Sequence, residues 1–161
     1  MYVKIPLKFR LVQPALMWII AIGGDFGIWR GVPGRKLFLS GRVGVMALAL
    51  GIIVWAVVIL ASLLVHHKAL TSVGNIDRLV TEGVYSRVRH PMYAAFIWLS
   101  WGAFLRWPTL RIAVMVLWTD MVLFLWSLLE ERLLQARFGE EYSLYKKRDG
   151  MLIPRFRGVR N

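Results

Sequence analysis

Residues 43–65 read VGVMALALGIIVWAVVILASLLV, 23 consecutive positions without a charge. An α-helix rises about 1.5 Å per residue, so about 20 such residues cross a hydrocarbon core. This stretch is long enough by itself to place the chain in a membrane. The composition agrees: 58% of the 161 residues are apolar and the mean hydropathy is +0.56, too oily for a soluble domain of this size. Gly44 and Gly51 punctuate the segment, and small residues at such positions let neighbouring helices pack closely.

Three further apolar segments surround it. Residues 11–29 form a weak one, with Pro14 near the start and Gly23-Gly24-Asp25 interrupting it, so it is tilted, broken or partly re-entrant. Residues 90–105 form a short one between Arg89 and Arg106. Residues 112–129 form the last, broken only by Asp120. The tight connection Arg106-Trp107-Pro108-Thr109 predicts that the last two helices make an antiparallel hairpin.

The chain carries a net charge of +12, which in a soluble protein would suggest nucleic acid. In a membrane protein, basic loops that face the cytoplasm and anionic lipid heads account for it better, and no nucleic-acid partner is expected. With four spans, one side holds 15 Lys and Arg and the other 6. Omitting the first span leaves 12 against 9. Four spans with both termini in the cytoplasm is therefore the expected topology. Residues 1–10 carry Lys4, Lys8 and Arg10 ahead of an apolar run, but no small-residue cleavage site follows, and the segment is read as retained. The chain contains no cysteine, which excludes disulfides, a thiolate nucleophile and a zinc–thiolate site.

The chemistry concentrates in residues 79–93, LVTEGVYSRVRHPMY, a polar and aromatic cluster between two apolar segments. Such groups at the mouth of a bilayer cost free energy unless they bind something. Arg89-His90-Pro91-x-Tyr93 starts a helix, because proline is tolerated in a first turn and pushes its predecessor to extended geometry. Free N–H groups of that turn, with Arg89 beside them, favour an anion such as a carboxylate. Tyr85 and Tyr93 offer flat faces to a heteroaromatic ring or a cation. The competing interpretation is an interfacial belt, with arginine snorkelling and tyrosine marking the headgroup layer.

A second group ends the last span. At 100° per residue, Asp120, Ser127 and Glu131 fall within about 40° of one another, and Trp126 and Glu130 form a stripe beside them. The adjacent carboxylates Glu130 and Glu131 suit a cationic group or simply solvate the helix exit. Asp120, at mid-span, is expected to face the bundle interior and find a partner. His66-His67 closes the second span; neighbours on a helix point about 100° apart and no third ligand is near, so no metal site is expected.

These residues resemble a known family. Leu79-Val80-Thr81-x-Gly83-Val84-Tyr85 followed by Arg89-His90-Pro91-x-Tyr93 is similar to the signature of the isoprenylcysteine carboxyl methyltransferase family. The tail extends the likeness: Glu130-Glu131, then Phe138-Gly139-Glu140-Glu141-Tyr142, Tyr145-Lys146-Lys147-Arg148 and Pro154. It covers about residues 75–158 and is shared with intramembrane methyltransferases acting on phospholipid amines and small thiols. The resemblance implies an all-α integral membrane enzyme of about four spans, a single domain over residues 1–161. Residues 1–70 would supply the N-terminal spans and residues 71–161 the core that binds S-adenosylmethionine, completed by the cytoplasmic C-terminal helices. It implies cofactor contacts at Leu79, Val80, Tyr85, His90, Pro91, Met92, Tyr93 and Glu130, with Arg89 added by the charge reading above.

The cofactor half of the pattern is intact and the acceptor half departs from it. Trp126 stands where prenylcysteine enzymes have an arginine, and Ala95 where many members have glycine. Trp126 and Glu131 are the candidate acceptor-side residues, no catalytic base is identified, and the acceptor class is a lipophilic or lipidated carboxylate, thiol or amine. A phospholipid N-methyltransferase, a non-catalytic membrane scaffold of the same fold, and a small transporter built around Asp25 and Asp120 are the alternatives.

Overall fold

The computed structural model describes residues 14–65 and 78–155. Five α-helices run through them: α1 (Pro14–Gly31), α2 (Arg42–Val65), α3 (Pro91–Arg106), α4 (Leu110–Phe138) and α5 (Glu140–Arg148). A short 3-10 turn, Gly83–Ser86, precedes α3. Among the described residues there is no strand, only the isolated bridges Lys36–Thr109 and Val88–Gly150. His66 and His67 lie outside the described residues, as do residues 1–13.

Two helices are long and apolar enough to cross a bilayer, α2 and α4. Their outward faces carry large apolar side chains, among them Met46, Leu50, Leu64 and Leu117. Exposure of this kind is stable only against lipid. The described residues are helical throughout their regular structure, and two apolar helices with such faces are those of an integral membrane protein. Helices α1 (18 residues) and α3 (16 residues) do not meet the same measure, so two of the four expected spans have membrane-crossing character by length and composition.

Small residues make the α2–α3 seam. Gly44 and Gly51 are buried on α2 and Gly102 on α3. A methyl on Gly102 would come 2.9 Å from the Ala47 carbonyl oxygen, and one on Gly51 would come 3.3 Å from the Leu99 Cα. Backbone contact this close is how apolar helices gain dispersion energy where burial from water offers none. The packing role expected of Gly44 and Gly51 is thus their observed one.

Helix α4 is the central strut. Gly24 leaves room for the Trp118 indole, whose Nε1 donates to the Ala21 carbonyl at 3.1 Å. Thr119 donates to Asp25 at 3.0 Å, joining α1 to α4. Asp120 accepts from Ser100 Oγ at 3.1 Å and Trp101 Nε1 at 2.8 Å, joining α3 to α4 as its mid-span position suggested.

Both inter-helix connectors 32–41 and 107–109 gather at one end of the bundle. Leu37 N–H donates to the Pro108 carbonyl and Leu110 N–H to that of Arg35, while Arg111 Nε reaches Val32. Thr109 caps the predicted α3–α4 hairpin by accepting from Ile112 N–H at 3.2 Å. The opposite end collects residues 78–90 and the C-terminal segment. Helix α4 has 29 residues, a length of about 43 Å, against about 30 Å of hydrocarbon. The helix is longer than the core, and its charged last turns, including Glu130 and Glu131, lie at the end away from the connectors. Gly139, at φ 54°, stops the helix in a left-handed conformation costly to other residues and turns the chain into α5.

Candidate active site

The sequence brings Gly83-x-Tyr85 and His90-Pro91-x-Tyr93 together through local backbone geometry. Gly83 has φ 58°, and a side chain there would also press on Val65 at the end of α2. The turn it opens leads to Tyr85, whose carbonyl accepts from the Tyr145 hydroxyl of α5 at 2.6 Å. Pro91 occupies the first turn of α3, and His90 precedes it as the cap residue.

The C-terminal segment folds back onto this turn. Arg89 N–H donates to the Gly150 carbonyl at 2.8 Å and His90 N–H to that of Met151 at 3.0 Å. Two of the N–H groups expected to face an anion are therefore satisfied inside the protein. The Arg89 guanidinium is engaged too. Nε and Nη2 donate to Glu131 Oε1 at 2.8 and 2.6 Å, and Nη1 donates to the carbonyls of Lys146 and Asp149. Lys146 Nζ sits 3.0 Å from the other oxygen of Glu131. The side chains of Arg89 and Glu131 are only 8% and 7% exposed.

Glu130, one residue earlier, faces differently. Its Oε1 accepts from the Tyr93 hydroxyl at 2.8 Å, and its Oε2 lies 3.5 Å from His90 Nδ1. The His90 and Tyr93 rings are nearly parallel, 7° apart with centroids 5.7 Å from each other. His90 Nε2 is 3.8 Å from Glu131 and makes no hydrogen bond. Three motif residues separated by up to 40 positions thus converge within one small cluster.

The electrostatics follow from the geometry. Burial alone would push the His90 imidazolium toward losing its proton, but the two glutamates facing its ring nitrogens outweigh that and raise its pKa. Glu131 is penalised by burial as well, yet His90, Arg89 and Lys146 hold it down at about 2. Burial raises the Tyr142 and Tyr145 phenols, so both stay protonated.

The remaining candidates flank this cluster. Leu79, Val80 and Met92 are half-buried. Trp126 is 6% exposed and packs with Met17, Tyr93, Val122 and Leu123, its indole N–H without a partner. Sequence reading did not single out Lys146, Asp149 or Tyr145 individually. Their aromatic and charged tail was visible, but their partners lie 15 to 60 residues away. A 430 Å³ cavity touches Glu131, Leu128, Gln135 and Lys146, and a 540 Å³ cleft lies beside Thr81, Arg87 and Asp149.

Known proteins resemble this chain over most of its length. The family profile described as phospholipid methyltransferase matches residues 39–141. A methanethiol S-methyltransferase of Pseudomonas deceptionensis is 30% identical over 82% of this chain and 54% of its own. Methanethiol S-methyltransferase 1 of Bradyrhizobium diazoefficiens is 31% identical over 65% of this chain and 40% of its own. The chain therefore spans about half the length of the curated relatives it matches. No solved structure matches it significantly. The profile match takes in α2, α3, the Arg89-His90-Pro91-x-Tyr93 turn and the glutamates of α4, and by it the chain belongs to the phospholipid methyltransferase family, membrane enzymes of the kind its motifs resemble.

Proposed function

We propose that this chain performs S-adenosylmethionine-dependent methyl transfer to a small lipophilic thiol at the membrane surface. The observation that carries the proposal is the contact of Tyr93, His90 and Glu130, three motif residues brought together from two helices. A thiol acceptor is favoured because both curated relatives are named for methanethiol. A scaffold of the same fold would have no use for keeping this cluster intact.

The residues present suit such a cofactor. Glu130 is a carboxylate with two of its oxygens' neighbours already oriented, and it suits an ammonium group. His90, facing Glu130 through Nδ1 and Glu131 through Nε2, sets the orientation of that carboxylate. Tyr85, with Leu79, Val80, Pro91 and Met92, would supply flat and apolar surface for a ring and a sulfonium. Arg89 and Glu131 would act by holding the turn to the tail, so that Glu130 and Tyr93 keep their positions. S-adenosylmethionine, when bound, would supply an electrophilic methyl group on sulfur.

What this chain then contributes is orientation and exclusion of water, which intramolecular analogies value at about 7–11 kcal/mol at best. The acceptor thiol would give its proton to water and react as the thiolate. The two glutamates beside its ring nitrogens raise the His90 pKa and favour its protonated form. Trp126, in the core beside Tyr93, would line the acceptor side and restrict it to small molecules. We further propose four membrane passes with the site on the cytoplasmic side. That arrangement is supported by the grouping of both connectors at the opposite end of the bundle and by the charge bias of the loops.

The test is calorimetry of the detergent-purified protein with S-adenosylmethionine, followed by labelled methyl donor with methanethiol or with a total lipid extract. Heat of binding and labelled dimethyl sulfide support the proposal. Absence of any binding heat would sink it, and label appearing only in lipid would move the acceptor to a phospholipid amine.

A further inference from the structure

Helix α3 has a second face that the cluster at Tyr93 does not use. Ala94, Ala95 and Trp98 fall within an arc of about 100° at 100° per residue, and Tyr93 points about 150° from its centre. Against this face, Val54 and Val58 of α2 and Leu152 of the tail enclose an apolar groove of about 240 Å³. Val65 of α2 lies beside Gly83 at the site end of the bundle. Val58 and Val54 are seven and eleven residues before Val65, about 10 and 16 Å along the axis. The groove therefore runs from the membrane boundary to about the depth of one leaflet's hydrocarbon, half of roughly 30 Å.

At its outer end the groove meets a cleft of different character. Arg87 and Pro154 line both, so the two spaces adjoin. The 540 Å³ cleft adds Thr81, Arg148 and Arg155. Its acid, Asp149, is buried and its carboxylate is held by Arg148 at 2.6 Å, so that negative charge is already neutralised. Arg155 donates through Nη1 to the Lys147 carbonyl at 2.7 Å, and its other nitrogens have no partner among the described residues. Arg87 is exposed and has no ion-pair partner among the described residues. Two guanidinium groups above an apolar slot fit a phosphodiester above an acyl chain, since arginine binds phosphate through paired N–H donors.

We infer that the groove and cleft together form a binding site for one anionic phospholipid, held on the face of α3 away from Tyr93 and not consumed by methyl transfer. A zwitterionic lipid would fill the groove equally well but would bring an ammonium toward Arg87 and Arg155. A free anion would meet the cleft alone and leave the groove empty. The site explains why Arg87, Arg148 and Arg155 gather where the tail closes over the bundle.

The experiment is native mass spectrometry of the full chain in a non-ionic detergent, titrated with phosphatidylglycerol or with phosphatidylcholine of the same acyl chains. One phosphatidylglycerol should bind with an affinity higher on the order of tenfold, as two arginines at a membrane surface imply. The double variant Arg87→Gln, Arg155→Gln should lose that preference. Ala94→Phe, which fills the groove, should weaken both lipids and serves as an independent arm should the double variant fold poorly. Equal binding of the two lipids, an unchanged preference in the double variant, or displacement of phosphatidylglycerol by inorganic phosphate alone would each overturn the inference. The heat of S-adenosylmethionine binding in the double variant should equal that of the parent, which keeps this result separate from the methyltransferase proposal.

Discussion

Arg89 holds one oxygen of Glu131 with two of its nitrogens, at 2.8 and 2.6 Å, while its third nitrogen reaches carbonyls of the tail. This one guanidinium joins the turn before α3, the end of α4 and the segment after α5. Losing one partner of a buried ion pair costs about 3–5 kcal/mol where the other is left uncompensated; Lys146 still faces Glu131 here, but two tail carbonyls lose their donor as well. Arg89→Ala should therefore lower the thermal midpoint of unfolding in detergent by many degrees. Arg89→Lys should recover little of it, because an ammonium cannot span Glu131 and two carbonyls at once. Thermal melts of both variants check this; a lysine variant as stable as the parent would refute the three-way clasp.

The neighbouring acid should behave in the opposite way. Glu130 accepts a hydrogen bond from Tyr93, and a glutamine oxygen at the same place can still accept it. Glu130→Gln should thus cost less stability than Arg89→Ala, losing only the charge that faces His90, while weakening S-adenosylmethionine binding by about tenfold or more, as expected for loss of a charge-assisted contact. Calorimetry and melting curves on one preparation separate the two effects. Unchanged affinity would remove Glu130 from the cofactor site and favour the transporter reading built on Asp25 and Asp120.

How much of this was legible beforehand depends on the distance over which residues act. The membrane class, the helical hairpin at Trp107-Pro108-Thr109 and the packing role of Gly44 and Gly51 are local properties of sequence, and all three are observed. The partnership of Asp120 was foreseen in kind, since a mid-span acid must bond to something, but Ser100 and Trp101 were not, because hairpin register sets them. Arg89 was read as facing an anion from outside. Its nearest anion is Glu131, 42 residues on, and only the folding of the tail over the turn brings that carboxylate in. Pairs made by tertiary closure carry no local pattern.

The α2–α3 seam makes a prediction independent of the site. Gly102 lies against the Ala47 backbone, and a bulkier residue must push two helices apart. Overpacking of this kind costs about 1–3 kcal/mol. Gly102→Val should lower the melting midpoint measurably, whereas Gly27→Val, with open space around the Cβ position, should not. Comparison of the two melts decides whether the seam is as close as described.

The same cluster predicts the pH dependence of folding, and the two signs can be worked separately. The Glu131 pKa falls from 4.5 to about 2 on folding, so its contribution is present above about 4.5 and is lost as pH falls toward 2. The His90 pKa rises from 6.5, so its contribution is complete below about 6.5 and is lost as pH rises through the higher folded value. Stability due to this cluster should therefore be greatest between about pH 4.5 and 6.5 and decline on both sides. His90→Gln should flatten the alkaline decline and weaken the acid limb, since His90 is one of the three groups holding Glu131 down, while Glu131→Gln should remove the acid limb and weaken the alkaline one, since it takes away one of the two carboxylates facing His90. Melting midpoints of the parent and both variants across that range provide the check, and a parent whose stability rises steadily from pH 6 to 9 would contradict a protonated His90 between two glutamates.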